Sequence, residues 1–114
     1  MKRVVYSPKY RKSILELRVY LRERFGEITE KRVIKEITEA VNSLKDNVNL
    51  GRNLGSEYDI DTDYRFIFKS HCYVIYKTDD EYVYVENIFN EREDFIRKLF
   101  GNDRLSEESL IDEY

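Results

Sequence analysis

Apolar residues recur every three to four positions through two stretches in the first half of the chain, and this spacing predicts two amphipathic helices. Ser7 and Pro8 supply an N-cap and a first helical residue, and Gly26 is suited to end the first helix. Thr29 is predicted to cap the second helix. Because few residues separate the helices, they should pack as an antiparallel hairpin. The predicted apolar stripes are Ile14, Leu17, Leu21 and Phe25 in the first helix, and Val33, Ile37, Ala40 or Val41, Leu44 and Val48 in the second.

β-Forming residues concentrate in four short segments, which predicts strands at residues 3–7, 64–68, 72–77 and 82–88. The last three are separated by turns of hairpin length. Residues 47–63 are predicted to form a long connection, and a short closing helix should end at Gly101. The predicted fold is α+β, with a β-α-α-β-β-β order, a short C-terminal helix and an antiparallel-rich sheet that the helical hairpin covers on one face. We expect the other face of the sheet to be free to bind another macromolecule.

Length and composition narrow the class of protein. With 114 residues, of which 41% are apolar, the chain is suited to one domain with one core. Its single cysteine cannot form an internal disulfide, which fits a reducing compartment. No apolar run approaches the roughly 18 residues of a membrane helix, and the N-terminus lacks the apolar segment of a signal peptide. We therefore predict a cytoplasmic protein without a membrane partner.

Charge is distributed unevenly, although the net charge is only −3. Residues 1–53 contain 13 Lys and Arg against 7 Asp and Glu, whereas residues 102–114 contain 1 Arg against 5 acidic residues. This asymmetry predicts contacts with an oppositely charged partner. We also hypothesise that residues 103–114 fold back over a basic sheet face when no partner is bound. The densest basic cluster, which is either a solvated helix start or a site for an acidic partner, consists of Lys2, Arg3, Lys9, Arg11 and Lys12.

Two stretches of sequence resemble the RelE/ParE superfamily of toxins from type II toxin–antitoxin pairs. The superfamily's opening strand and first helix resemble YSPKYRKSILELRVYLRERFG, and its three-strand signature resembles DYRFIFKSHCYVIYKTDDEYVYVENIFNEREDF. The Phe25-Gly26 helix end and the Tyr64-Arg65 pair are more similar to ParE-like members than to RelE-like ribonucleases, which carry Lys and Arg along the central strands. The resemblance implies a toxin domain at residues 1–101, followed by an acidic tail at residues 102–114 that has no counterpart.

This resemblance implies a growth-inhibiting toxin that a cognate antitoxin neutralises, in a system associated with plasmid stabilization. A ParE-like toxin is expected to bind DNA gyrase without breaking a bond itself. The alternative is a RelE-like mRNA interferase, which is a ribosome-dependent endonuclease. A non-toxic interaction module is a third possibility. We expect no metal and no cofactor, because one His and one Cys make neither a metal site nor a catalytic pair.

Several residues at or near the predicted strands are candidates for function. If the protein is a nuclease, Arg65 and Arg92 would stabilise phosphate charge. Tyr76 or a Glu would transfer the proton, because arginine cannot do so near neutral pH. Arg65 has a structural alternative, a salt bridge on the exposed sheet face with Glu86 or Asp63. The candidates for binding the target or the antitoxin are Arg65, Tyr73, Asn90, Arg92 and Phe95.

The remaining polar candidates each have a structural interpretation. Asn90 occupies a slot where family members often carry His, and an amide cannot exchange a proton at neutral pH. It is also suited to cap a last helix that begins at residues 91–94. His71 should be an exposed turn residue. Tyr73 and Tyr76 should lie on opposite faces, with one packed on the helices. A solvated face of the second helix is predicted for Glu27, Glu30, Glu36 and Glu39.

Overall fold

A computed structural model describes residues 2–93 and 95–100, and the predicted acidic tail lies outside these residues. Among the described residues, every helix is too short or too polar to cross a bilayer. The elements, in chain order, are β1 (Arg3–Tyr6), α1 (Pro8–Phe25), α2 (Glu27–Ser43), a 3-10 helix (Val48–Leu50), β2 (Arg52–Asn53), α3 (Leu54–Tyr58), β3 (Arg65–Lys69), β4 (Cys72–Thr78), β5 (Tyr82–Asn90) and α4 (Phe95–Phe100).

The strands form one mixed sheet in the order β1-β5-β4-β3-β2. β1 pairs with β5 in parallel, and the other neighbours are antiparallel. A parallel pair requires a long connection, and here the chain between β1 and β5 includes the α1–α2 hairpin and strands β2 to β4. The predicted α+β fold and its element order are therefore confirmed. The predicted long connection proves to contain three short elements, which are the 3-10 helix, β2 and α3.

One face of the sheet is covered by the α1–α2 hairpin, as predicted. The α2 stripe is buried, with Ile37, Val41 and Leu44 each at 0% exposure. The α1 stripe is buried less completely, and the predicted core residue Phe25 is 61% exposed at the end of the helix. The strands contribute Val74, Tyr76, Val83, Val85 and Ile88 to the same core. Burial of this apolar area is the main term that holds the hairpin on the sheet.

The junction of α1 and α2 differs from the prediction. Gly26 has a φ of 93°, a left-handed value that glycine adopts without strain, so α1 ends there and α2 begins at once. Thr29 therefore lies inside α2 and does not cap it. Glu30 is only 3% exposed, and it accepts hydrogen bonds from Nε and Nη2 of Arg22 at 2.9 and 3.0 Å. The prediction of a solvated Glu30 is wrong, because this paired carboxylate ties the two helices together.

Replacing Glu30 with glutamine should weaken the dependence of stability on acidic pH. Hydrogen bonding from Arg22 holds the pKa of Glu30 below its ordinary value of 4.5, so the ionised form stabilises the folded state. That contribution is complete above about pH 4.5 and is lost as pH falls through the lower folded-state pKa. Urea midpoints at pH 6 and pH 3 should thus differ less in Glu30→Gln than in the unchanged chain.

The matched control for this prediction is Glu39→Gln, because Glu39 lies on the exposed face of α2 and forms no salt bridge with any described residue. It should leave the acid dependence unchanged. Glu36 and Asp79 also have lowered pKa values, because Ser70 and the backbone N–H of Glu81, respectively, donate hydrogen bonds to them, so part of the dependence will persist. If the midpoints at pH 6 and pH 3 differ by the same amount in both Gln variants, the Arg22–Glu30 pair does not link pH to folding.

The far face, meaning the face of the sheet away from the hairpin, carries a second core. Tyr73 and Phe89 lie in the strands of this face and contact the ring of Phe95 from α4 at centroid distances of 4.6 and 5.9 Å. Leu54 and Tyr58 cover the same face from α3. The expectation that this face is free is therefore wrong. The short helices that flank the sheet place their own aromatic residues there.

Candidate functional site

The C-terminal end of β5 extends beyond the end of β1 and faces α1. β1 pairs with β5 only as far as Tyr6 and Val85. On the other side, the β4–β5 ladder shifts register between Ile75 and Tyr76, and Glu86 is the extra residue in β5. A bulge of this kind bends and twists a strand locally. Residues 86–90 of β5 consequently present one backbone edge to α1, and we call this the β5 edge.

Backbone N–H and carbonyl groups along the β5 edge form hydrogen bonds with side chains of the protein itself. Ser7 Oγ donates to the carbonyl of Glu86. The N–H of Ile88 donates to Oδ1 of Asn87 at 2.8 Å, and the N–H of Asn90 donates to Oε2 of Glu93 at 2.7 Å. Unpaired strand edges invite pairing with other chains, and this edge is blocked against it. A partner is therefore expected to bind here through side chains.

A cavity of about 760 Å³ lies between α1, the β5 edge and α4, and we call it the α1–β5 cleft. Its lining is strongly positive, with five Lys and Arg side chains against two Glu. Lys9, Lys12 and Arg92 form no salt bridge with any residue in the described ranges. Such unpaired charges concentrate anionic ligands in a cleft. The charged lining residues are Lys9, Lys12, Arg24, Arg92, Lys98, Glu16 and Glu93.

A second cavity of about 660 Å³, the hairpin-end groove, continues from the cleft toward the α1–α2 junction. Leu17, Tyr20, Asn90 and Arg92 line both, so the two form one surface. The groove is more apolar, because the exposed ring of Phe25 lies on its wall. Together they offer cationic groups beside apolar ones, which suits an extended or helical segment with acidic and apolar side chains.

The β3–β4 turn closes the hairpin-end groove. Ser70 and His71 have φ values of 52° and 65°, and Ser70 Oγ donates to Oε1 of Glu36 on α2 at 2.8 Å. The prediction of a solvated Glu36 therefore misses this contact. His71 is exposed, as predicted, and its Nδ1 lies 3.0 Å from Oε2 of Glu91. Burial raises the pKa of the adjacent Cys72 thiol to about 11, so this thiol is mainly protonated at neutral pH.

Asn90 and Arg92 are the predicted site residues that the structure brings to the cleft. Asn90 Oδ1 accepts a hydrogen bond from the N–H of Arg92 at 2.8 Å. The carbonyl of Asn90 accepts one from the N–H of Glu93 at 3.0 Å. Asn90 thus caps a turn at the end of β5, and α4 begins only at Phe95. The Arg92 side chain is exposed at the junction of the cleft and the groove.

Arg65 and Tyr76 are cross-strand neighbours, but they form a structural clamp on Gly51. Nη2 of Arg65 donates to the Gly51 carbonyl at 2.7 Å. The Tyr76 hydroxyl accepts from the Gly51 N–H at 3.1 Å and donates to the Val48 carbonyl at 2.6 Å. Arg65 therefore bonds to neither Glu86 nor Asp63, and it points to the helix-covered face.

Tyr76 has no exposed surface. Both hydrogen-bonding functions of its hydroxyl are used inside the fold. A side chain in this state cannot transfer a proton to or from a substrate on the surface, and a role as the acid or base of a nuclease does not fit the structure.

Tyr73 and Phe95 meet on the far face and not at the cleft. Phe95 is 5% exposed and thus holds α4 in place without presenting a surface to a partner. Tyr73 is half-buried and lines a shallow groove of about 480 Å³ with Tyr58 and Phe68. Tyr73 and Tyr76 do lie on opposite faces, and Tyr76 is the one that packs on the helix side, as predicted.

Sequence alone groups Lys9 and Lys12 with residues that are near them in the chain. It does not identify the other residues that line the cleft with them. Lys9, Lys12, Glu16, Tyr20 and Arg24 follow each other at spacings of three to four, so one face of α1 carries them all. That periodicity was available as a signal. The approach of Arg92 and Lys98 to the same face depends on the packing of β5 and α4. Among residues 2–93 and 95–100, no three potential metal ligands cluster.

Comparison with known proteins points to one family. The model of the ParE toxin of type II toxin–antitoxin system, parDE, matches residues 4–95. Among solved structures, a chromosomal ParDE toxin–antitoxin system from P. aeruginosa is similar, with a TM-score of 0.66, 14% identity, and coverage of 79% of this chain and 96% of that chain. The E. coli DinJ–YafQ toxin–antitoxin complex gives a TM-score of 0.48 and 17% identity, covering 78% of this chain and 91% of that one. No curated protein matches significantly.

Proposed function

The chain belongs to the ParE toxin family of type II toxin–antitoxin systems, and from this premise we propose that it inhibits growth by binding DNA gyrase in the cytoplasm. A cognate antitoxin would neutralise it. The observation that carries the proposal is the shape and chemistry of the α1–β5 cleft and the hairpin-end groove. This surface is large, cationic and partly apolar. It suits recognition of a macromolecule better than bond cleavage.

Several of the side chains that sequence made candidates for chemistry are unsuited to proton transfer, and this supports a binding function. Proton transfer needs a group whose pKa lies near the working pH. Asn90 cannot exchange a proton there, the Cys72 thiol is held protonated, and Tyr76 is buried on the helix side. Arg92 stabilises negative charge without moving a proton, so the His71–Glu91 pair is the exception that the second candidate function below takes up.

The same surface is our proposed site for the antitoxin. A segment that orders on binding can place apolar side chains against Leu17, Tyr20 and Phe25, and acidic ones near Arg92. Because side chains of the protein block the β5 edge, we expect such a segment to bind mainly through its side chains and not as an added strand.

Arg92→Ala should weaken inhibition of gyrase supercoiling by about tenfold or more, which is the effect of removing an arginine that anchors an interface. The assay is supercoiling of relaxed plasmid by purified gyrase over a titration of the toxin. The matched control is Arg3→Ala, an exposed arginine at the opposite end of β5, where β1 pairs with Tyr82. Full activity of the unchanged chain on mRNA but none on gyrase would overturn the proposal.

A second candidate function, ribosome-dependent mRNA cleavage, has one observation in its favour. The His71–Glu91 pair stands beside Arg92 on the hairpin-end groove, and a histidine oriented by a carboxylate is a common proton-transfer group. If this function holds, purified protein should cut mRNA on translating ribosomes, and His71→Gln should remove that activity. Under the gyrase proposal, His71→Gln changes no cleavage, because there is none.

A further inference from the structure

The positive charge of the α1–β5 cleft is not balanced by the described part of the chain. The lining holds five cationic and two anionic side chains. One of the two, Glu93, is already bonded to Lys98 at 2.6 Å. Arg24 forms no salt bridge with a described residue, and its guanidinium carbon lies 5.4 Å from the centroid of the Tyr20 ring. The cleft therefore favours an anionic occupant, and apolar Leu17 and Leu99 on its wall favour one that also carries apolar groups.

The segment that follows α4 has this composition. Residues 102–114 hold five acidic residues and one Arg. The same segment contains the apolar residues Leu105, Leu110, Ile111 and Tyr114.

The point of attachment favours this segment over a separate molecule. Lys98 and Leu99, on the last turn of α4, line the cleft, and the chain leaves α4 directly after them. The cleft follows α1 from Lys9 to Arg24, a length of about 22 Å at 1.5 Å per helical residue. Thirteen residues span roughly 20 Å as a helix and roughly 45 Å when extended, so the segment covers most of that length as a helix and all of it when extended. Tethering also raises the effective concentration of the segment at the cleft.

We propose that residues 102–114 of this same chain occupy the α1–β5 cleft when no partner is bound, with their carboxylates near Lys9, Lys12 and Arg24. The occupant is intramolecular and reversible. This placement differs from the sheet face that sequence alone suggested, because aromatic residues of α3 and α4 cover the far face.

One consequence of this inference rests on the proposed function. If the antitoxin also binds the cleft, the segment competes with it and lowers its apparent affinity. The docking itself does not depend on a target or an antitoxin, so it is tested on the free protein alone.

The test is a spin label on the full chain. Ser109→Cys provides the attachment point, and the native Cys72 should not react, because it is 3% exposed and its thiol stays protonated. The nitroxide should broaden the backbone amide signals of Lys12, Tyr20 and Arg92 and leave those of Val5 and Tyr82 unchanged. Labelling of the unmodified chain checks that Cys72 is inert.

A comparison of the labelled chain with variants that lack cationic side chains in the cleft tests the role of charge. Changing Lys9, Lys12 and Arg24 to Gln in the labelled chain should reduce the broadening in the cleft at least about threefold, the effect expected from losing three exposed ion pairs. The matched control changes Lys31, Lys35 and Arg52 to Gln, which removes equal charge from exposed positions outside the cleft. This control should leave the broadening in the cleft unchanged. Salt at about 1 M, where the screening length is about 3 Å, should act like the cleft variant.

Three results would overturn the inference. One is the absence of selective broadening in the cleft, and another is broadening centred on a different surface. The third comes from a mixture of two samples, one isotope-labelled chain that carries no nitroxide and one nitroxide-labelled chain that carries no isotopes. It is equally strong broadening of the isotope-labelled chain in that mixture. That result would assign the cleft to the segment of a second copy. None of these results bears on gyrase inhibition, so the two proposals fail independently.

Discussion

Replacing Phe95 with alanine should lower the free energy of unfolding by about 3 to 5 kcal/mol, the usual cost of removing a buried aromatic ring. Phe95 is 5% exposed, and its ring lies within 6.5 Å of the rings of Tyr58, Phe66, Tyr73 and Phe89. It is the buried residue of the six-residue helix α4, and a helix this short depends on packing. The variant should therefore release α4 and open the far-face core.

Urea unfolding followed by tyrosine fluorescence measures this change. Phe25→Ala is the matched control, because Phe25 is the same residue type at 61% exposure, and its loss should cost less than about 0.5 kcal/mol. Release of α4 also removes Lys98 and Leu99 from the α1–β5 cleft, so binding at the cleft should weaken in step. If both alanine variants unfold at the same urea concentration, the far-face core contributes nothing to stability.

Replacing Gly51 with alanine should cost about 3 kcal/mol or more, because overpacking and a broken hydrogen bond act together. A Cβ at Gly51 would clash with the Tyr76 hydroxyl and would lie 2.6 Å from the backbone carbonyl oxygen of Phe66. The carbonyl belongs to β3 and cannot move away without breaking the sheet. The clamp that Arg65 and Tyr76 close on Gly51 should then open, and the adjoining strand β2 should detach from β3.

A double-mutant cycle tests the mechanism. Tyr76→Phe alone should cost about 1 to 3 kcal/mol, because it leaves the Gly51 N–H and the Val48 carbonyl without their partner. The combined variant should be more stable than the sum of the two costs predicts, since the closest clash disappears with the hydroxyl. Tyr82→Phe controls for loss of a hydroxyl that bonds to no described group. Strict additivity would contradict a direct contact between Gly51 and Tyr76.

Residue types alone suggested that Arg65 and Tyr76 are catalytic, and the structure gives these two residues a structural role. Arg65 and Tyr76 have the chemistry of a phosphate-binding and proton-transferring pair, and the structure does place them side by side. Their partner, however, is the backbone of Gly51, which lies 14 residues from Arg65 along the chain. Sequence spacing carries no information on that contact. Glu30 is a similar case, because its burial depends on Arg22 across the helix junction.

The sequence by itself determined the long helices and main strands of this protein and their order, whereas β2 and α3 were not predicted. Ser7, Pro8 and Gly26 bound α1 through local backbone chemistry, and the stripe of α2 follows from helical periodicity among near neighbours. Only the tertiary structure decided which charges meet in the α1–β5 cleft, that both faces of the sheet are covered and which polar side chains are buried. The physical reason is that capping and periodicity act within one turn of the chain, whereas burial and hydrogen-bond partners depend on the packing of distant segments.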